Sequence, residues 1–247
     1  MSITTQEELE GMRAAAAVVR LVLDAMRSRV RPGVTTAELD TVGAGVMRDN
    51  GARSAPATVY GFLGSSCISV NEEAVHGIPG ERALRGGDLV KLDVTIEKNG
   101  YMADAAVTIP VGRVPEELRR LIACAEQAFQ KAMLVARAGF QVFEIGCAVE
   151  SEVRRSGFSV IRELGGHGIG RTIHEEPRVP NYHDPTADQV LAEGLVITVE
   201  PIIAAGLGGA LVERDGWTVR TSDRSPSAHY EHTIVITKGR PLVLTAA

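Results

Sequence analysis

Aromatic residues make up only 4% of this 247-residue sequence, cysteines number three, and no apolar run is long enough to cross a membrane. Pro201 to Val212, an uncharged stretch in the C-terminal half, falls short of the ~20 residues a spanning helix needs and is broken by glycine. The opening Met1-Ser2-Ile3-Thr4-Thr5 shows no cationic segment followed by an apolar one, so no export signal is read and the expected location is the cytoplasm. Cys67, Cys124 and Cys147 are odd in number and lack paired spacing, which excludes a disulfide framework and suits free thiols, with Cys124 and Cys147 read as core. A net charge of −5 and a pI near 5.7 argue against a nucleic-acid surface. What is present in quantity is apolar side chain, 45% of the total, enough for a substantial core.

Thr5-Gln6-Glu7-Glu8 is a capping box, and Leu9, Met12, Ala16, Val19, Leu23 and Met26 follow at helical spacing. A second box, Thr35 to Glu38, opens a helix that should end near Asn50-Gly51. Ala55 to Gly64 reads as a loop. Leu89 to Ile96 and Tyr101 to Val111 are β-branched runs joined by Glu97-Lys98-Asn99-Gly100, which predicts a β-hairpin. Pro115 introduces another helix, and a further one should run from about Gln141 to Arg155.

Arg31-Pro32-Gly33-Val34, Glu38-Leu39 and Asn50-Gly51 recur as Arg137-Ala138-Gly139-Phe140, Glu144-Ile145 and Ser156-Gly157, at a constant offset of 106. The expectation is an α+β fold class: one catalytic domain over 1–247, made of pseudo-two-fold halves at about 5–112 and 113–240.

Asp93 lies inside the apolar run Leu89 to Ile96, where an unpartnered carboxylate is costly, so it needs a cation. Asp104, in the partner strand, is expected close to opposite in register. Glu200 is the only acid in the apolar strand Leu195 to Pro201, and Glu231 precedes another, Thr233 to Thr237. His167, set among glycines from Gly165 to Gly170, is the natural nitrogen ligand. Four carboxylates and one imidazole favour Mn, Fe(II) or Co(II), with Zn also fitting, and that much negative charge suits two ions. A structural salt bridge is the competing reading for any one of these acids, but three acids embedded in apolar strands argue against it. His174-Glu175 is not a zincin helix, because Arg178 stands at the second histidine position; no Gly-x-Ser-x-Gly, dinucleotide or P-loop pattern is present.

From Thr5 to Thr237 the sequence resembles the type I methionine aminopeptidases of the pita-bread fold. The resemblance is carried by SVNEEAVHGIP (Ser69 to Pro79), KLDVTIEKNGYMADAAV (Lys91 to Val107), GHGIGRTIHEEP (Gly166 to Pro177), TVEP (Thr198 to Pro201) and SAHYEHTIVIT (Ser227 to Thr237). It implies a curved antiparallel sheet covered by helices and two divalent ions bridged by Asp104 and Glu231, one site completed by Asp93 and the other by His167 and Glu200. It implies attack of a metal-bridging water or hydroxide on the carbonyl after the first residue, with Glu200 carrying the proton. His174 is expected against that carbonyl oxygen and His76 near the scissile nitrogen.

By position, Val59, Phe62, Cys67, Ile173 and Trp217 would line the methionine pocket. The implied substrates are peptide and nascent-protein N-termini with a small second residue; ribosome contact is left open and a monomer is the family default. The sequence departs from the family pattern at several points: aromatics are common where Val59 and Ile173 stand, glutamine where His229 stands, and a hydroxyl residue where Ala105 stands. The alternatives are an X-Pro aminopeptidase or prolidase of the same fold, and a metal-free binding protein.

Overall fold

The computed structural model describes residues 1–246. Among the described residues five helices are formed, four of which cover one large antiparallel sheet as two pairs. Helices α1 (Gln6–Arg27) and α2 (Thr36–Asp49) each begin at the predicted capping box: Thr5 and Thr35 accept from the Glu8 and Glu38 amides, and both glutamates bond back to the cap backbone. Short α3 (Ala55–Tyr60) is a difference from the expected loop. Ser54 caps it with Pro56 in its first turn, a start signal that a six-residue segment leaves too short to read by periodicity. Helices α4 (Glu116–Ala132) and α5 (Val142–Arg155) complete the set, α4 starting after Pro115 as expected.

The positions 106 apart adopt the same conformation. Gly33 and Gly139 have φ of 90° and 91°, and Gln141 forms a capping box with Glu144 where Thr35 forms one with Glu38. Helices α1 and α2 cover one hydrophobic core built on Val90, Leu92, Val94 and Ile96. Helices α4 and α5 cover a second, built on Ile197, Val199, Ile234 and Ile236. Cys124 is buried in this second core, whereas Cys147 is only partly buried, because it lies toward the flank of α5.

The predicted hairpin forms from Leu89–Lys98 and Tyr101–Pro110, turning at Asn99 and Gly100, both of positive φ. Its second strand pairs with Glu231–Val235, which pairs with Val196–Val199, which in turn meets Gly165–Gly168. The sheet is thus continuous across both cores. Strand alternation sends one side of each strand to a helix-covered core and the other to the opposite, concave side.

Candidate metal centre

The cross-strand register assembles the acids. Asp93 lies opposite Ala106, and Ala106 lies opposite Glu231, so the two acids occupy one row across three strands. Asp104 is close to opposite Asp93, as expected, and lies directly opposite Thr95, two residues along. The reason is geometric: a two-residue turn at Asn99-Gly100 pairs Lys98 with Tyr101, which fixes every later pair. Because side chains alternate with period two, Asp104 still faces the same side as Asp93, in diagonal contact. Glu200 follows the Val196–Val199 strand, whose Val199 pairs with His232 beside Glu231.

His167 is held by close strand packing. A β-carbon on Gly166 would strike the Thr198 carbonyl, and one on Gly168 the Glu176 carbonyl, so only glycine admits the backbone there. The His167 Nδ1–H donates to the Gly168 carbonyl at 2.9 Å, which leaves Nε2 unprotonated, 3.6 Å from Glu200 Oε1. Ligand atoms of Asp104, His167 and Glu231 cluster within 4.8 Å of one another, as do those of Glu200, His229 and Glu231.

The electrostatics are those of a site built for positive charge. Burial, then neighbouring acids, pushes Asp93, Glu200 and Glu231 well above the carboxylate range. Asp104 rises to about 6, chiefly through burial, opposed by the Thr95 hydrogen bond. Burial lowers His167 to about 4 and His229 to about 3, holding both imidazoles neutral. Among the described residues, Asp104 Oδ1, Glu231 Oε1 and both ring nitrogens of His229 are buried without a hydrogen-bond partner. Oxygen acceptors left unmatched in a buried cluster of carboxylates fit a divalent cation.

A cavity of about 320 Å³ opens on this cluster. His76 and His174 both line it, as do Phe62, Cys67, Ile173 and Trp217, with Phe62 edge-on to Trp217 at 5.2 Å between centroids. His76 holds a left-handed backbone, φ 58°, and its pKa is lowered by desolvation inside the cleft and by His174. The His174 ring lies 4.3 Å from that of His167. Val59 is the correction: it is 44% exposed and does not line the cavity. The wall is completed instead by Tyr60, the last residue of α3, whose hydroxyl meets His174 Nδ1 at 2.7 Å. The helical turn at this point rotates successive side chains by about 100°, carrying Val59 outward. The methyl group of Ala105, next to Asp104, packs in the α1 core, away from the acids.

Sequence reasoning missed the threonines. Thr95 Oγ1 donates to Asp104 Oδ2 at 2.7 Å, and Thr198 Oγ1 donates to Glu200 Oε1 at 3.0 Å while accepting from the His167 amide at 3.0 Å. Thr233 Oγ1 accepts from the Asp104 amide at 2.9 Å and donates to its carbonyl at 2.8 Å. The signal was available: Asp93-x-Thr95, Thr198-x-Glu200 and Glu231-x-Thr233 each put a hydroxyl two residues from an acid, on the same strand face. Asn181, which donates to the Glu200 carbonyl at 2.8 Å, carries no such signal, since it comes from a distant loop.

Buried carboxylates, two imidazoles and an adjoining cavity define a metalloprotein with the donors of a hydrolytic centre. Comparison with known proteins is consistent with that class. The chain belongs to metallopeptidase family M24, which it matches over residues 10–238. It is 43% identical to methionine aminopeptidase 2 of Bacillus subtilis (strain 168), over 99% of each chain. It superposes on the crystal structure of methionine aminopeptidase from Rickettsia prowazekii with a TM-score of 0.95, at 37% identity and full coverage of both. The prolidase from Pyrococcus furiosus shares the fold at a TM-score of 0.80 and 25% identity, with 65% of its chain covered. The fold is therefore the α+β pita-bread arrangement of this family.

Proposed function

We propose that this chain removes N-terminal methionine from peptides and new proteins, with a preference for a small second residue. The observation that carries the reading is the set Asp93, Asp104, His167, Glu200 and Glu231, of which Asp104, Glu200 and Glu231 are buried, on the floor of an apolar-walled cavity. Mutual full-length coverage with methionine aminopeptidases, against 65% of the prolidase, favours this substrate over X-Pro peptides.

Those five residues would hold two divalent ions of the Co, Mn, Fe or Zn group. Bound there, the ions would supply Lewis acidity to the scissile carbonyl and to the attacking water. The protein does the rest. Thr198 Oγ1 donates to Glu200 Oε1 and fixes the orientation of the carboxylate, which would take a proton from water and pass it to the departing amine. Tyr60 keeps its proton, its pKa raised by burial; its hydroxyl donates a hydrogen bond to His174 Nδ1, which leaves the ring hydrogen on Nε2, where it can bond the carbonyl oxygen. His76 is assigned to the scissile nitrogen. Phe62, Cys67, Ile173 and Trp217 form a wall suited to a thioether.

We further propose a single catalytic domain of two related halves that acts as a cytoplasmic monomer; among the described residues no helix is long and apolar enough to cross a membrane. The test is release of free methionine from Met-Ala-Ser and from proline-containing peptides by chelator-stripped protein, with and without Mn(II), Co(II) or Fe(II). Metal-dependent release from Met-Ala-Ser is expected. Metal binding with no release from any peptide would overturn the reading in favour of a binding protein.

A further inference from the structure

His229 has no part in the chemistry above, yet its ring is the most enclosed imidazole at the centre. The residue is 1% exposed, and neither ring nitrogen has a hydrogen-bond partner among the described residues. Its backbone is fixed from two sides. The amide donates to Thr108 Oγ1 at 2.8 Å and the carbonyl accepts from the same hydroxyl at 2.8 Å, while the strand pairs His229 with Ile202. Two residues on along extended chain, Glu231 projects to the same side.

The ring is therefore held against the acids. Nε2 lies 3.3 Å from Glu231 Oε2 and 3.7 Å from Glu200 Oε2, without forming a hydrogen bond to either. Two donor atoms each about 2.1 Å from one ion, at angles of about 90–120°, lie about 3.0–3.6 Å apart. The observed separations are close to those of atoms sharing a cation. Glu200 sits between two imidazoles, with Oε1 toward His167 and Oε2 toward His229.

We propose that His229 is a further metal ligand in this chain, its Nε2 joining Glu200 and Glu231 in a donor triad for a zinc-class ion. The inference rests on the metallopeptidase reading and adds a residue to it. A second imidazole moves the centre away from the all-oxygen surroundings that suit Mn(II) and toward Zn(II), Fe(II) or Co(II). A glutamine at this position would offer only a neutral amide oxygen, so the substitution changes the preferred metal without altering the carboxylates.

The experiment titrates chelator-stripped wild type and His229→Gln with Zn(II) and with Mn(II) by calorimetry, and follows wild type labelled with ¹⁵N-histidine by long-range ¹H–¹⁵N correlation spectra during Zn(II) addition. His229→Gln should weaken Zn(II) binding by about 10- to 100-fold and change Mn(II) binding much less. In the wild type, the ring nitrogens of two histidines, His167 and His229, should move into the metal-bound range. Equal Zn(II) affinity in the two proteins, or a His229 signal unmoved on saturation, overturns the proposal. If the variant does not fold, the wild-type spectrum alone decides. A wild type that takes up neither ion defeats the metallopeptidase reading itself, whereas uptake with only His167 shifting defeats the His229 assignment alone.

Discussion

Replacing Asp104 by Asn should stabilise the metal-free protein while removing its ability to bind metal. Burial raises the Asp104 carboxyl from 3.8 to about 6. Below pH 3.8 the folded and unfolded chains both hold the proton, and the charge has no effect on folding. As pH rises toward 6 the unfolded chain ionises first, so the folded state is penalised; above the folded value the penalty is complete. A shift of about two units, at about 1.4 kcal/mol each, is roughly 3 kcal/mol at pH 7.5, and about half that at pH 5. Asparagine carries no such charge and can still accept from Thr95 Oγ1, which lies 2.7 Å from Asp104 Oδ2. Urea unfolding in chelator should therefore show Asp104→Asn more stable by about 3 kcal/mol at pH 7.5, or roughly 6–12 °C in Tm for a chain of this size. Saturating metal should raise the wild-type Tm and leave that of the variant in place. A variant less stable than wild type in chelator at pH 7.5, or one that retains metal, would refute the argument that Asp104 is a buried charge kept for a cation.

Glu231→Gln should lose bound metal and reduce kcat/KM by more than about 10³-fold, measured by elemental analysis after gel filtration and by methionine release. His174→Ala should lower kcat by about 10²- to 10³-fold with metal content unchanged; release of metal would show that its place is among the ligands instead. Tyr60→Phe removes one hydrogen bond to His174, a loss of about 1 kcal/mol, and should slow turnover about fivefold without affecting metal content. Thr198→Val strips a partner from both Glu200 and the His167 amide; it should destabilise the fold by about 1–3 kcal/mol in urea and weaken metal binding about tenfold by calorimetry.

Much of this architecture is local and therefore written in the chain. Thr5-x-x-Glu8 and Thr35-x-x-Glu38 cap their helices because a hydroxyl and a carboxylate three residues apart satisfy each other's backbone amides. Asn99-Gly100 turns the hairpin because both positions need positive φ. Asp93 and Glu200 stood out because a carboxylate inside an apolar strand requires a partner. What the sequence could not decide was relative placement. The row that Asp93 shares with Glu231 depends on a strand pairing between distant parts of the chain, Ala106 with Glu231, which no turn fixes. The exchange of Val59 for Tyr60 at the cavity wall depends on how a six-residue helix is rotated, which only its packing against the sheet fixes. His229 is legible as one histidine in a strand, but the placing of its unmatched Nε2 against both Glu200 and Glu231 arises only where strands from distant parts of the chain close over one another. Short-range chemistry, capping, turn type and strand period, is determined by neighbours in sequence; the ligand geometry is decided by the tertiary structure, because donor separations of a few ångströms are set by strand register and burial that no local segment contains.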